Sequence, residues 1–246
     1  MKDEEAQTAL KYLRLKNLLE QWDQIIEEAD QKRPSYTRFL KDVINREYNL
    51  KRERARLLRL KKAQLPGVWV METYPFEKQP KLSRRKCMEL YDSKRYLLTP
   101  ENIAFIGPTG TGKTGLASAY LVHAINNGYT GRFILFADLI DELFQAVADH
   151  SEKRVIKRYL QYDCLVIDEL GYEEVDSQIQ AGLVFRLLRQ RKKSTIITSN
   201  LGFDEWPKFL KNQNLAAALI DKFTANCHLI NMLRCRSITP RVIPAS

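Results

Sequence analysis

The stretch Ile103-Ala104-Phe105-Ile106-Gly107-Pro108-Thr109-Gly110-Thr111-Gly112-Lys113-Thr114-Gly115-Leu116 decides the fold. Its first four residues read as a buried strand. The next eight spell G-x-x-x-x-G-K-[ST], and Leu116, Tyr120 and Leu121 continue at helical spacing. Strand, glycine-rich turn and helix in that order are what a phosphate-binding loop requires. Glycines let backbone N–H groups turn inward around phosphate oxygens, and the helix N-terminus adds the positive end of its dipole. Lys113 then reaches the β- and γ-phosphates, while the Thr114 hydroxyl serves Mg²⁺. Gly107, Pro108, Thr109, Gly110, Thr111, Gly112, Lys113 and Thr114 are therefore expected to bind ATP with Mg²⁺. The bland alternative, a structural glycine turn, does not account for the strand and helix on either side.

A second strand must bring a carboxylate to the same place. Leu165-Val166-Ile167-Asp168-Glu169 is an apolar run ending in two acids, about 55 residues after the loop. Asp168 suits the water shell of Mg²⁺, so Thr114 and Asp168 form the expected metal set. Glu169, one step on, is placed to polarise a water for attack on the γ-phosphate. The run Ser194-Thr195-Ile196-Ile197-Thr198-Ser199-Asn200 is a further strand with a polar tip, and such tips face the ligand crevice of a parallel sheet. Asn200 either hydrogen-bonds the attacking water or the γ-phosphate, or simply turns the chain.

Outward from these runs, short apolar stretches at 102–106, 132–137, 164–167, 194–199 and 228–232 alternate with helical patterns at 113–126, 138–148, 152–160, 176–191 and 214–225. This is the signature of an α/β fold with a parallel sheet and crossover helices. The front of the chain reads differently. Leu15, Leu18, Leu19, Trp22 and Ile26 make one amphipathic helix; after Lys32-Arg33-Pro34, Ser35 caps another whose apolar stripe is Tyr36, Phe39, Leu40, Val43 and Ile44. Trp22, Phe39 and Trp206 are expected in the core. Pro66-Gly67 closes this part, and 68–80 reads as extended. The division expected is a helical, basic domain over 1–66, a linker over 67–82 and an ATPase domain over 83–246.

Of the formal charge of +10, residues 1–100 supply +8, from 23 Lys/Arg against 15 Asp/Glu. Within 51–62, Lys51, Arg52, Arg54, Arg56, Arg59, Lys61 and Lys62 face a single acid, Glu53. Such a segregated positive field suits a polyanion such as nucleic acid, or it is a solvated helix face. The four cysteines form no CxxC pair and the three histidines are scattered, so neither a zinc cage nor a disulfide framework is indicated. Asp3, Glu4 and Glu5 stand near Met1 in place of a basic stretch and apolar run, and no segment reaches the roughly 18 apolar residues of a membrane span. A soluble, untargeted, cytoplasmic protein without membrane contact is the expectation.

Taken together these residues resemble the IstB-like ATP-binding proteins, helper ATPases of insertion-sequence transposition. They belong to the AAA+ class beside the DnaC-type helicase loaders. Besides the loop, the resemblance rests on Arg52-Glu53-Arg54-Ala55-Arg56, Tyr74-Pro75-Phe76, Ala137-Asp138-Leu139, Asp168-Glu169-Leu170-Gly171-Tyr172, the run from Ser194 to Leu201, and Glu205-Trp206. It implies a five-stranded sheet ordered 5-1-4-3-2 and Asn200 as sensor 1. The implied task is ATP-dependent self-association into an oligomer or filament on duplex DNA, which is bent and presented to a partner transposase. Lys51, Arg52, Arg54, Arg56 and Arg59 are the DNA-contact candidates.

Two departures stand out. Where the family reads Asp-Arg-Leu, with an arginine directed at the neighbouring subunit's γ-phosphate, this chain has Asp221-Lys222-Phe223. Lysine keeps the charge but loses the bidentate fork; Lys222 is the expected stand-in, with Arg186, Arg189 and Arg191 as fallbacks. The ending Arg234-Cys235-Arg236-Ser237-Ile238-Thr239-Pro240 also strays from the family's, and the 46 residues after Asn200 are too few for a helical lid. Three functions fit: a transposition helper ATPase that hydrolyses slowly and is stimulated by assembly on DNA, a replicative helicase loader, and an ATP-binding DNA-assembly protein with little hydrolysis.

Overall fold

The computed structural model describes residues 4–99, 101–172, 175 and 177–238. The chain divides into two compact units, Met1–Leu58 and Arg59–Ser246.

The first unit is helical, with α1 (Glu4–Tyr12), α2 (Lys16–Glu20), α3 (Trp22–Lys32) and most of α4, which runs over Tyr36–Ala63 and extends past the division. Two turns set its geometry. Arg33 ends α3 in the left-handed region at φ 44°, and Gln21, at φ −110°, separates α2 from α3. The second break resets the helical phase, so Ile25 and not Ile26 points inward. It also explains why one stripe from Leu15 to Ile26 does not hold. Glu47, buried on α4, accepts the N–H groups of Asn17 (3.0 Å) and Leu18 (3.2 Å) and thereby caps α2. The stripe read on α4 does not pack either: Tyr36, Leu40 and Ile44 are exposed, and Phe39, like Trp22 on α3, is half-buried.

In the second unit, α5 (Arg84–Ser93) and α6 (Arg95–Leu98) lead into β1 (Asn102–Ile106), α7 (Lys113–Asn126), β2 (Gly131–Leu135), α8 (Phe136–Ala148), α9 (Glu152–Gln161), β3 (Cys164–Asp168), α10 (Gln178–Gln190), β4 (Ser194–Ser199), α11 (Trp206–Leu210), α12 (Gln213–Thr224) and β5 (Cys227–Asn231). All strand pairs are parallel, in the order β2-β3-β4-β1-β5, which is the expected order read from the other edge. Strands covered on both faces need apolar side chains at successive positions, which is why these runs are continuous. Ile103, Phe105, Val166 and Ile196 face α7, α5 and α6; Ala104, Ile106, Leu165, Ile167 and Ile197 face α8 to α12. Trp206 is fully buried in the second of these layers.

The second strand ends at Leu135, two residues before the expected end. Phe136, Leu139, Ile140 and Leu143 recur at helical spacing and are buried from Phe136 onward, so the helix claims those residues. Asp176, the first residue of the helix expected over 176–191, lies outside the described residues; α10 starts behind a capping box made by Ser177 and Gln180. Residues 68–80 are not one extended run. Short 3₁₀ turns at Met71–Thr73 and Phe76–Lys78 fold Met71, Tyr74 and Phe76 against the α7 side of the sheet. No helix among the described residues is long and apolar enough to cross a membrane.

Candidate active site

Order in the sheet builds the site. Because β4 lies between β1 and β3, the C-terminal tips of these three strands are neighbours, and each carries one of the polar segments picked out in the sequence. The loop after β1 turns on Gly112, at φ 91°, where an added Cβ would meet Ile238 and Tyr74 at 2.9 Å. Gly107 has no room for a side chain at all: its Cβ would sit 2.7 Å from the Met232 backbone, which follows β5 and donates its N–H to the Ile106 carbonyl at 2.6 Å.

Lys113 opens α7 and curls back over the loop, donating to the carbonyls of Gly107 (2.7 Å) and Pro108 (2.9 Å). Burial lowers its pKa, an effect opposed by the charges of Asp168 and Glu169. The next residue, Thr114, donates its hydroxyl to both Asp168 oxygens at 3.1 and 3.0 Å. Asp168 is only 2% exposed, and desolvation raises its pKa despite hydroxyl donors from Thr198 and Thr114 and the nearby Lys113 charge. A buried carboxylate held by hydroxyls, the Glu169 backbone N–H and a lysine's field lacks a full counter-charge. Carboxylate and hydroxyl are the hard oxygen donors a magnesium ion takes, so the residues present fit that group.

Thr198 was not singled out in the sequence, yet it joins the pieces. Its hydroxyl donates to Asp168 Oδ1 and accepts the Glu169 N–H at 3.0 Å, while its carbonyl accepts the Leu170 N–H at 2.9 Å. These bonds hold Glu169 in the left-handed region at φ 58°, a conformation that costs energy for a residue with a Cβ. Asn200 is half-buried, directly after β4. A cleft of about 490 Å³ opens beside Thr114, Asp168 and Glu169, with Arg132 and Asp138 on its far wall.

On its other side the loop is buttressed by the stretch read as a linker. The Thr111 carbonyl accepts from the Tyr74 hydroxyl (2.9 Å) and from Gln79 Nε2 (3.1 Å); Gln79, 1% exposed, also bridges both backbone groups of Arg236. Ile238 N–H donates to the Gly110 carbonyl at 2.8 Å. Between these segments lies a mostly apolar cavity of about 310 Å³ lined by Trp69, Val70, Tyr74, Pro75, Gly112 and Ile238. It is the size and character of a pocket for a planar base next to a phosphate loop. The aromatic residues of 67–82 were the available signal, and a linker reading hid them.

The other expected site residues lie elsewhere. Lys222, exposed in the last turn of α12, borders a cavity with Asn102, Thr195, Lys192 and Lys193, at the N-terminal ends of β1 and β4. Four residue steps of strand, about 13 Å, separate that end from the loop. Among the fallbacks, Arg191 is 5% exposed and bonded to Thr195 Oγ1 (2.9 Å) and the carbonyls of Tyr162 (3.2 Å) and Ser194 (2.7 Å), with burial lowering its pKa to about 10. It ties strand starts together and is not available to another molecule. Lys51, Arg52, Arg54, Arg56 and Arg59 all lie on α4; Arg56 is paired with Glu53 at 2.6 Å, and Lys51 lies 3.9 Å from Glu47.

Residues 8–237 match the family described as IstB-like ATP binding protein. A protein of Pseudomonas aeruginosa named for ATP binding in insertion sequence IS21 is 32% identical over 93% of this chain and 86% of its own length. One of Geobacillus stearothermophilus, named likewise for insertion sequence IS5376, is 30% identical over 89% and 88%. Among solved structures, the DnaC helicase loader superposes with a TM-score of 0.52 at 23% identity, over 61% of this chain and 87% of that one. AMPPCP-bound DnaA from Aquifex aeolicus gives 0.53 at 20% identity, over 68% and 51%. At these identities the two structures speak to the fold alone, a parallel sheet with a phosphate loop after its first strand.

Proposed function

Since the chain belongs to the IstB-like ATP-binding protein family, we propose that it is a Mg²⁺-dependent ATPase that assembles copies of itself on duplex DNA and delivers that DNA to a partner transposase. The observation that carries this reading is the convergence of Thr114 and Asp168 at 3.0–3.1 Å beside the half-buried Lys113. Bound ATP with Mg²⁺ supplies the anhydride to be cleaved and the charge that screens it. Lys113 would exchange its loop carbonyls for phosphate oxygens, Thr114 and Asp168 would hold the cation's oxygen shell, and Glu169 would take a proton from the attacking water. Asn200 orients that water. Trp69, Val70 and Tyr74 would line the pocket for the base, and Tyr74 with Gln79 keeps the loop in shape.

The position of Lys222 supports self-association. This exposed cation at the strand starts is a strand's length from its own phosphate loop, so in our reading the γ-phosphate it serves is that of a neighbouring copy. Head-to-tail contacts of that kind generate rings or helical filaments. The family's insertion-sequence setting supports the transposase as partner, and the basic residues of α4 support DNA.

Two measurements test the reading. Lys113→Ala should weaken ATP binding by about 10–100-fold, the value of a charge-assisted hydrogen bond worth about 1.5–3 kcal/mol; wild-type affinity in a titration with fluorescent nucleotide would refute it. Reversing Arg52, Arg54 and Arg56 to Glu should weaken duplex binding and flatten the slope of log K against log salt by about 0.9 for each phosphate no longer neutralised. Unaltered binding would return that stretch to solvated surface.

A further inference from the structure

The first unit holds a cleft of about 610 Å³ between α3 and the start of α4, and its charges are unevenly satisfied. Its acids are already engaged. Glu28 binds Arg46 at 2.7 Å and Lys32 at 3.4 Å, and Asp42 binds Arg46 at 2.9 Å. Arg46 and Lys32 hold the Glu28 carboxyl down at about 2, so it stays anionic and paired across the working pH range. Arg33, Arg38 and Lys41 line the same cleft and pair with no acid among the described residues. Arg38 and Lys41 are exposed.

These cations continue a line along the helix. At 100° per residue, Arg38, Lys41, Asn45, Arg52 and Arg56 fall within an arc of about 60° on α4, and no acid of the helix lies inside it. Asp42 and Glu53 lie beyond one edge of the arc; Asp42 is bonded to Arg46, and Glu53 to Arg56 of the line itself. From Arg38 to Arg56 the line runs about 27 Å. That exceeds the width of a major groove, about 12 Å, so phosphates of both flanking strands come within reach. Asn45 and Arg52, both exposed, supply further donors in the middle.

We infer that duplex DNA lies along this face of α4 and is gripped at its far end by Arg38 and Lys41 in the α3–α4 cleft, a phosphate-binding site separate from the stretch 51–59. The inference rests on the proposed DNA-binding function and adds two phosphate contacts to it. Three cations with no acid partner among the described residues, in a cleft wide enough for a sugar-phosphate segment, favour a continuous polyanion over an acidic protein.

The test uses the full chain and a fluorescently labelled duplex, with anisotropy titrations at several salt concentrations. Arg38→Ala/Lys41→Ala should reduce affinity and flatten the slope of log K against log salt by about 1.8, at about 0.9 per phosphate. Lys11→Ala/Lys16→Ala removes the same charge elsewhere in the unit and should keep the wild-type slope. ATP affinity should be unchanged in every variant, and an unchanged far-UV circular dichroism spectrum and thermal unfolding profile report that the helical first unit of each is folded. A wild-type slope in Arg38→Ala/Lys41→Ala overturns the inference while leaving DNA binding intact; so does equal flattening by Lys11→Ala/Lys16→Ala. Wild-type protein without salt-dependent duplex binding overturns the DNA reading itself. Polyglutamate displacing the protein as well as unlabelled duplex does, at equal charge, would assign the cleft to an acidic protein and also overturn it.

Discussion

Glu169→Gln is expected to bind ATP about as well as wild type and to hydrolyse it about 10²–10⁴-fold more slowly, the range a positioned general base contributes. The phosphate cradle consists of the loop, Lys113 and Thr114, and none of these touches the Glu169 side chain through a hydrogen bond that the substitution would remove. What the change removes is the proton acceptor. The backbone of residue 169 is fixed by its N–H bond to Thr198 Oγ1 at 3.0 Å and by the Leu170 N–H bond to the Thr198 carbonyl at 2.9 Å. Glutamine keeps both bonds and the shape, so its effect isolates the carboxylate. Single-turnover hydrolysis together with retention of labelled nucleotide measures the two halves of the expectation. Turnover within about fivefold of wild type would exclude Glu169 as the base and move attention to another group on the cleft, such as Asp138.

The parts of this site that were legible in the sequence are those where one local pattern does the whole job. Glycines, lysine and threonine at fixed spacing between a strand and a helix have no common structural use, so the loop could be read directly. Asp168 and Glu169 followed because an apolar strand ending in acids, common by itself, comes about 55 residues after such a loop. Thr198 and Gln79 were not legible. A threonine inside Ile-Ile-Thr-Ser satisfies strand propensity and looks like filler; only the placement of β4 between β1 and β3 turns its hydroxyl into the link between Asp168 and Glu169. Gln79 gains its role from Thr111 and Arg236, which lie 32 and 157 residues away in sequence. The helical front failed for a different reason. The break at Lys32-Arg33-Pro34 was legible, but Gln21 interrupts the periodicity with backbone angles that no composition rule specifies, and that interruption rotates the stripe that follows. The exposed Tyr36, Leu40 and Ile44 show that an apolar stripe on a long charged helix does not by itself identify the packed face. Sheet order came with the family resemblance, since alternating strands and helices alone are compatible with several orders.

Lys222→Ala is expected to lower DNA-stimulated hydrolysis and ATP-dependent assembly together, while leaving the isolated subunit's ATP affinity unchanged. Arginines that act on a neighbour's γ-phosphate contribute about 10³–10⁵ in rate. An ammonium neutralises developing charge through a single point donor and lacks the planar fork, so wild-type turnover should be slow and Lys222→Arg should raise it. Slow hydrolysis gives long-lived ATP-bound assemblies, which suits a switch that must hold DNA until a partner arrives. Mixing supplies the decisive measurement. Glu169→Gln subunits keep Lys222, and Lys222→Ala subunits keep Glu169. If the lysine acts across an interface, an equal mixture of two inactive variants rebuilds about one interface in four with both groups present, and activity returns. If each subunit used its own Lys222, no mixture would recover. Should Lys222→Ala hydrolyse and assemble like wild type, the search moves to Arg186 and to the exposed Arg189 on α10, since Arg191 is already committed to the carbonyls of Tyr162 and Ser194.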